Sequence, residues 1–337
     1  MEKLLMRKFR QLILMLFIFC FIFGSVALSA SAMSASTEVP AKVMKQAPGF
    51  YRGQLGDFEV TVLSDGTAPR HLDQILSDPR IVCDELTADH EVEPVELSIN
   101  AYLINTGAHL VLVDTGAGEL FGSSNGLLLA NIVAAGYRAD QVDTILLTHI
   151  HADHSGGLSI GGKRQFPNAT VYVDSQDVAY WLSKKEELKA PISARKTFEQ
   201  SQTTVNPYVE AKRLVEIKPG LELVPGFITR SAPGHTPGHT AYLVESRGHK
   251  LFLWGDTIHS AKVQFSHPQV TVQYDVKPDE AAQTREQLLD FAAKNGVLVG
   301  SDHISFPGLG HVRKVGNGYR WIPIPYTAHV TELDPKP

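Results

Sequence analysis

The amino-acid sequence predicts an α/β protein in which sheets are covered by helices on their outer faces. Short apolar or alternating segments recur along the chain, as expected for β-strands. Segments with helical periodicity and capping residues stand between them. The 337 residues are 43% hydrophobic and 20% charged, which is ordinary for a globular protein and excludes collagen-like, coiled-coil and largely disordered chains. Sheets and helices in this alternation form a layered architecture.

The individual elements follow these segments in order. Strands are expected at residues 58–63, 97–104, 110–113, 145–147, 170–173, 227–230, 241–244, 251–254 and 297–299, and helices at about 125–135, 175–183 and 279–294. Residues 145–147 are continuously apolar, which is typical of a strand buried on both faces. Gly136 and Gly296 follow the first and third helices, where glycine commonly ends a helix.

The first 32 residues have the layout of a secretory signal peptide. Basic residues precede an apolar run at 12–23, and Ala30-Ser31-Ala32 fits an A-x-A cleavage site. The run is short for a membrane span, so no stable membrane anchor is expected, with an uncleaved anchor as the alternative. Cleavage near Ala32 would leave an exported protein, periplasmic or extracellular.

The remaining chain is expected to consist of a linker or N-terminal arm at 33–47 and a single domain at 48–337. Cleavage would remove four of the 31 Lys and Arg and one of the 36 Asp and Glu, which leaves a net charge of -8. Such a chain has no basic bias toward a phosphate backbone, so no nucleic-acid partner is expected. Only Cys83 would remain, so no internal disulfide can form.

Residues 148–154 carry the strongest chemical signal in the chain. Directly after the predicted 145–147 strand come four candidate metal ligands, His149, His151, Asp153 and His154. Imidazole and carboxylate suit zinc and its divalent neighbours, and their tight spacing aims some side chains at one ion and others at a second. The alternative is a solvated loop that happens to be rich in histidine.

Three further candidate ligands stand just past apolar strands. They are His235, Asp256 and His303. Loops at the ends of strands are where a rigid scaffold presents functional groups. A single one of these residues is weak support for a metal site, but four such loops in one chain indicate one.

Together these residues resemble the metallo-β-lactamase superfamily. Shorter motifs, among them Ser64-Asp65-Gly66-Thr67, Leu112-Val113-Asp114-Thr115-Gly116 and Ser305-Phe306-Pro307-Gly308, resemble its methyl parathion hydrolase branch. That branch groups organophosphate hydrolases with lactone and ester hydrolases. The resemblance covers about residues 48–325 and implies an αββα sandwich with a dinuclear metal site at one edge of the sheets.

The resemblance also implies how the ligands divide. One ion would be held by His149, His151 and His235, the other by Asp153, His154 and His303, with Asp256 bridging both and positioning the attacking hydroxide. Zinc is the expected metal, with cobalt, manganese or iron as alternatives. Asp114 is interpreted as the partner that orients a ligand imidazole, with a turn cap as the alternative.

Four residues are candidates for the substrate pocket. Phe121, Trp181 and Phe198 are expected in loops that form an aromatic wall, with ordinary packing as the alternative. His259, three residues after Asp256, is expected to face the metal cleft and shape substrate choice, unless it is a solvated rim residue. His239 is expected to be structural and not a ligand.

These features predict a secreted dinuclear-metal hydrolase. Two divalent ions lower the pKa of a shared water from about 15.7 to roughly 7, and the resulting hydroxide attacks an electrophilic centre. Lactones or aryl esters are the expected substrates, with phosphotriester hydrolysis as the main or a side activity. The alternatives are an organophosphate hydrolase proper, a glyoxalase II-like thioesterase, a β-lactamase, or a binding protein stabilised by metal. The oligomeric state stays open, with a homodimer as one possibility.

Overall fold

Two seven-stranded sheets form the centre of the computed structural model, which describes residues 39 and 41–335. Residues 39 and 41–46 are exposed and have no regular secondary structure. The predicted signal peptide and residues 33–38 and 40 of the predicted arm lie outside the described residues, and both stay predictions. Within the described part of the chain, no helix combines the length and apolar character needed to cross a membrane.

Sixteen strands are present in the described residues. They are β1 (Phe50–Leu55), β2 (Phe58–Arg70), β3 (Val95–Asn105), β4 (Leu110–Val113), β5 (Thr144–Leu146), β6 (Ser159–Ile160), β7 (Lys163–Arg164), β8 (Thr170–Asp174), β9 (Leu214–Ile217), β10 (Glu222–Val224), β11 (Phe227–Ser231), β12 (Thr240–Ser246), β13 (His249–Leu253), β14 (Leu298–Gly300), β15 (Leu309–Val315) and β16 (Gly318–Pro323).

The α-helices of the described residues are α1 (Leu72–Ile75), α2 (Pro79–Ala88), α3 (Leu128–Ala134), α4 (Ala152–Ser155), α5 (Ser175–Trp181), α6 (Lys184–Lys189), α7 (Ile192–Glu210), α8 (Ala261–Gln264) and α9 (Pro278–Asn295). Short 3-10 turns occur at Ala139–Gln141, Gly156–Leu158 and Gly255–Thr257.

Fourteen of the strands pair in two mixed sheets, and β6 and β7 form a separate two-stranded sheet. The first has the order β1-β2-β3-β4-β5-β8-β9, and the second runs from β10 to β16 in chain order. In the first sheet β4, β5, β8 and β9 are mutually parallel neighbours, and in the second β13 and β14 are parallel. The parallel strands place their carboxyl ends at one edge of each sheet.

Strand β4 shows why the sheets are covered on both faces. Val111 and Val113 are buried between the two sheets, whereas Leu110 and Leu112 pack on the opposite face under α3 and α7. Since successive side chains of a strand point to opposite faces, a continuously apolar strand requires cover on both. In the second sheet Phe252 packs outward against α9. The resulting layers are helix, sheet, sheet and helix, which confirms the predicted αββα sandwich.

Several elements differ from the sequence prediction. Strand β4 has the predicted bounds, but β2 continues to Arg70 instead of ending at 63. Helix α7 and the hairpin β15–β16 were not predicted. In α7 the buried face includes Ser201 and Thr204, and these polar side chains obscure the apolar periodicity by which a helix is recognised.

Candidate metal centre

The predicted ligands meet at the edge where the parallel strands end. His149 and His151 follow β5, Asp153 and His154 lie in α4, His235 lies between β11 and β12, Asp256 lies in the 3-10 turn after β13, and His303 follows β14. All except Asp153 are buried. The architecture therefore brings all seven predicted ligands into one cluster, although their individual roles stay predictions.

The first group consists of His149, His151, His235 and Asp256. His151 Nδ1 lies 3.0 Å from His149 Nε2 and 3.0 Å from His235 Nε2. Asp256 Oδ2 lies 3.1 Å from His235 Nε2 and 3.6 Å from His149 Nε2. Three ring nitrogens and one carboxylate oxygen thus converge on a volume the size of one ion.

The second group is built around the other oxygen of Asp256. Asp256 Oδ1 lies 3.0 Å from His154 Nε2 and 3.1 Å from His303 Nε2. Asp153 Oδ2 lies 3.6 Å from His303 Nε2 and 3.9 Å from His154 Nε2. The two oxygens of Asp256 therefore face different groups, which is the arrangement expected of a bridging carboxylate.

The hydrogen bonds behind the cluster test whether these groups fit metal ions. His235 Nδ1 lies 2.8 Å from Asp275 Oδ1, and His303 Nδ1 lies 2.9 Å from the carbonyl oxygen of Ser98. A neutral imidazole that donates through Nδ1 has a lone pair on Nε2, directed into the cluster. The buried His154 Nε2 and Asp256 Oδ1 have no hydrogen-bond partner among the described residues. Converging, unpaired acceptors of this kind fit divalent cations.

The pKa shifts of the cluster residues also fit bound metal ions. Burial lowers the pKa of His149 and of His151 well below the ordinary value, so these rings are neutral, the form that binds a metal. Against the effect of burial, the facing carboxylates raise the pKa values of His235 and His303 to about 9. Burial also opposes the ionised form of Asp256, but the surrounding imidazoles hold its pKa well below the usual range. The carboxylates of the cluster therefore favour positive charge beside His235 and His303.

Asp114 lies beside a ligand, as the sequence interpretation expected. Its Oδ2 lies 2.9 Å from His154 Nδ1, and its Oδ1 accepts the Thr148 N–H at 2.8 Å. Thr148 Oγ1 also donates to Asp114 Oδ2 at 2.7 Å. These contacts connect the end of β4 to the start of the ligand loop, while the functional role of Asp114 stays a prediction.

The sequence interpretation missed two partners of the ligands and left one histidine without a stated contact. Asp275 and the carbonyl of Ser98 orient His235 and His303, and no local motif marks either. His239 accepts the Asp256 N–H through Nε2 at 3.1 Å and donates through Nδ1 to the Ala232 carbonyl at 2.9 Å. Burial lowers the pKa of His239 to about 4, which keeps the ring neutral for this role.

Replacing Asp275 by asparagine is expected to weaken the binding of one ion about 10- to 100-fold, because the neutral amide orients His235 less firmly. Competition with a chromophoric zinc chelator measures the affinity. The exposed Asp279, replaced in the same way, is the control. Unchanged zinc affinity in Asp275→Asn would show that the carboxylate does not support His235.

The cluster opens into a cavity of about 640 Å³, a volume within the range of small-molecule sites. Its wall combines cluster residues with apolar side chains such as Leu97, Ile99 and Val276. Among the described residues, Arg70 is the only lysine or arginine on this wall. The cavity therefore suits a substrate that is mostly uncharged.

The predicted aromatic residues line this cavity, but two of them are not in loops. Trp181 is the last residue of α5 and Phe198 lies within α7, and both are buried core residues. Their rings are 4.7 Å apart, and the Trp181 ring meets His151 edge-on at 4.8 Å. Phe121 lies in a turn and is partly buried. The expected loop placement was wrong for Trp181 and Phe198. Trp181 lies in the helix that the sequence itself predicts at 175–183, whereas Phe198 lies in α7, which was not predicted.

His259 lies at the junction of the cavity and the cluster. Its Nε2 is 3.1 Å from Asp256 Oδ2, and its ring stacks on His303 at 5.1 Å. Its Nδ1 is buried and has no hydrogen-bond partner among the described residues. His259 thus faces the cleft and is not a solvated rim residue, while its influence on substrate choice stays a prediction.

A helix–sheet–sheet–helix sandwich that holds two adjoining His/Asp groups at the floor of a cavity defines a class of metal-dependent hydrolases. The family model of the metallo-beta-lactamase superfamily matches residues 94–303. The chain belongs to this superfamily.

Solved structures and curated relatives agree with this assignment. A hydrolase of the beta lactamase superfamily, AbOPH, is 38% identical with a TM-score of 0.80, covering 84% of this chain and 100% of its own. AidC, a dizinc quorum-quenching lactonase, is 27% identical with a TM-score of 0.78, covering 83% and 98%. N-acyl homoserine lactonase AiiA of Bacillus thuringiensis subsp. kurstaki is 25% identical over 189 residues, 50% of this chain and 67% of the relative. The chain is a metal-dependent hydrolase, and its His/Asp cluster is compatible with a dinuclear metal site.

Proposed function

We propose that this hydrolase opens lactones and cleaves aryl esters, with slower hydrolysis of phosphotriesters. The observation that carries the proposal is the Asp256 carboxylate between two ligand groups at the floor of a largely apolar cavity. The similarity to AidC and AiiA, which are named as lactonases, supports the lactone class. Among the described residues of the wall, Arg70 is the only lysine or arginine, which argues against the charged glutathione conjugate of a glyoxalase II-like thioesterase.

Two divalent ions would be held by the two groups described above, with zinc as the proposed metal. When bound, they supply Lewis-acid activation of the electrophile and lower the pKa of water to roughly 7. The chain supplies the geometry: Asp275 and Ser98 fix the rings of His235 and His303. Trp181 and Phe198 form an apolar wall that limits the access of water.

His259 is proposed to contact the substrate. Its ring lines the cavity, where an imidazole N–H can donate a hydrogen bond to a lactone or ester oxygen. A phosphotriester with an aromatic leaving group would instead profit from an apolar surface, since each buried methylene contributes roughly 0.8 kcal/mol. The polar ring therefore favours the carbonyl substrates.

A hydrolysis screen with purified, metal-loaded protein tests the proposed function. Its panel contains lactones, aryl esters, phosphotriesters, β-lactams and a glutathione thioester. We expect the largest kcat/KM values for lactones and aryl esters. A phosphotriester that is preferred by a large factor would identify an organophosphate hydrolase proper. Absence of turnover across the panel would refute the proposed function.

Replacing His259 by leucine is expected to shift the ratio of kcat/KM values toward the phosphotriester by about tenfold, or about 1.4 kcal/mol of differential transition-state binding. Loss of the contact to Asp256 should lower both activities, so the ratio is the informative quantity. One aryl lactone and one dimethyl aryl phosphotriester are compared in wild type and variant. An unchanged ratio would show that His259 does not select the substrate.

We also propose that the protein is exported after cleavage near Ala32. Mass spectrometry of material from the culture medium or periplasm should then find a mature N-terminus near Met33, with Cys83 as a free thiol. An intact N-terminus on a membrane-bound form would contradict export by signal-peptide cleavage.

A further inference from the structure

Asp177 connects two separate loops of the metal centre. Its carboxylate is fully buried and lies in the first turn of α5. Oδ2 accepts the Ile150 N–H at 3.0 Å, and Oδ1 accepts the Gly238 N–H at 2.7 Å. The side chain thus uses both oxygens to hold the backbone of two loops that are far apart in the chain.

These two loops carry the histidines of the first ligand group. Ile150 stands between His149 and His151, and Gly238 follows His235 by three residues. The next residue, His239, accepts the Asp256 N–H. One carboxylate therefore ties together the backbone segments that present the three histidines of this group, and the second segment contacts Asp256 through His239.

The close approach of the second loop depends on glycine at position 238. A Cβ there would lie 2.6 Å from the Asp177 backbone nitrogen and 2.8 Å from Asp174 Oδ1. Both distances are shorter than a carbon atom tolerates, so any side chain would push the loop away from α5. Glycine at position 238 therefore permits the close contact between this loop and α5.

The second ligand group is anchored by other contacts. The His154 carbonyl accepts the Thr115 N–H at 2.7 Å, and His154 Nδ1 lies beside Asp114. His303 is held through the Ser98 carbonyl. None of these contacts involves Asp177, so a change at Asp177 should act mainly on the first group.

We propose that Asp177 is a positioning residue that sets the spacing of His149, His151 and His235 around one ion. The carboxylate fixes the loop separation at which the ring nitrogens converge to 3.0 Å. The proposal rests on the assignment of these three histidines to a single ion within the proposed two-metal site.

The test compares Asp177→Asn with Asp65→Asn as a matched control. Asp65 is equally buried and accepts the N–H groups of Ala117, Gly126 and Leu128, but none of these residues belongs to a ligand loop. Metal-free protein is titrated with Zn²⁺ against a chromophoric chelator and with Co²⁺ by its visible absorption. Thermal unfolding of the metal-free forms is measured in parallel.

In Asp177→Asn one of the two binding steps should weaken by about tenfold or more while the other stays as in wild type. In Asp65→Asn both affinities should match wild type although the metal-free protein unfolds at a lower temperature. If Asp177 only stabilised the fold, its replacement would lower the unfolding temperature without weakening the binding of one ion selectively. Two unchanged affinities in Asp177→Asn, or equal loss at both steps, would overturn the proposal.

Gly238→Ala is the second variant. If Asp177→Asn does not fold, Gly238→Ala tests whether the contact between these loops sets the spacing of the three histidines. The added methyl should separate the same loops and weaken the same binding step, and unchanged affinity at both steps would overturn the proposal. Wild type serves as a separate check, because binding of fewer than two ions refutes the two-metal site itself. The hydrolysis screen tests the substrate class independently of these titrations.

Discussion

Asp256→Ala is expected to lose hydrolysis almost completely, with kcat/KM lower by about a thousandfold or more, or about 4 kcal/mol of transition-state stabilisation. The carboxylate lies between both ligand groups, with one oxygen 3.1 Å from His235 and the other 3.0 Å from His154. If Asp256 bridges two ions as proposed, its removal takes one negative ligand from each ion at once. Binding of both ions should therefore weaken, and the metal content after dialysis should fall.

Metal content by elemental mass spectrometry and kcat/KM on the best ester substrate are the two measurements. Asp256→Asn keeps the shape of the side chain and separates the loss of charge from the loss of volume. Asp84→Ala, at an exposed position, is the control for effects of purification and dialysis on metal content and activity. If Asp256→Ala kept two tightly bound ions and full turnover, the bridging assignment would be wrong.

Removal of the metals by a chelator is expected to abolish hydrolysis while the fold is retained. The predicted ligands lie in loops, in a 3-10 turn and in the one-turn helix α4. The apolar core between the sheets is built from other residues, so the sandwich does not depend on the ions. An ion present at a thousand times its Kd stabilises the native state by about 4 kcal/mol, because the unfolded chain does not assemble the site. The metal-free protein should therefore unfold at a clearly lower temperature.

Circular dichroism, thermal unfolding and activity before and after chelation measure this effect. Re-addition of Zn²⁺ should restore both activity and the unfolding temperature. A protein that uses metal only for structure would lose its secondary structure on chelation, and a metal-independent hydrolase would retain its turnover. Either result would contradict the proposed role of the two ions.

Much of the site could be predicted from the sequence because its strongest motif lies within a few consecutive residues. His149, His151, Asp153 and His154 lie within six residues at the end of a buried strand. The strand is recognisable by its continuous apolar run, since both of its faces are covered. The other ligands also follow apolar strands, so the same rule predicts their common edge once the sheets are assumed to be layered.

The cavity wall was less predictable from the sequence. Trp181 was placed in a loop although the helix predicted at 175–183 includes it. Phe198 was expected in a loop because α7 lacks a clear apolar stripe. Its buried face instead includes Ser201, whose hydroxyl donates to the Ile150 carbonyl at 2.7 Å, and Thr204. Polar residues can occupy a buried helix face when their hydrogen bonds are satisfied there, and a pattern of apolar residues does not reveal such a helix.

Sequence patterns were enough to predict the layered fold, the set of seven candidate ligands and the class of metal-dependent chemistry, because strands, turns and ligand motifs are encoded over short distances. Asp114 was also predicted as a partner of a ligand imidazole, whereas the other groups behind the ligands became apparent only in the folded structure. Asp275, Ser98 and Asp177 contact His235, His303 and Gly238 across 40, 205 and 61 residues of chain, respectively. These contacts form because folding brings distant loops together. A local pattern of residues therefore does not predict them.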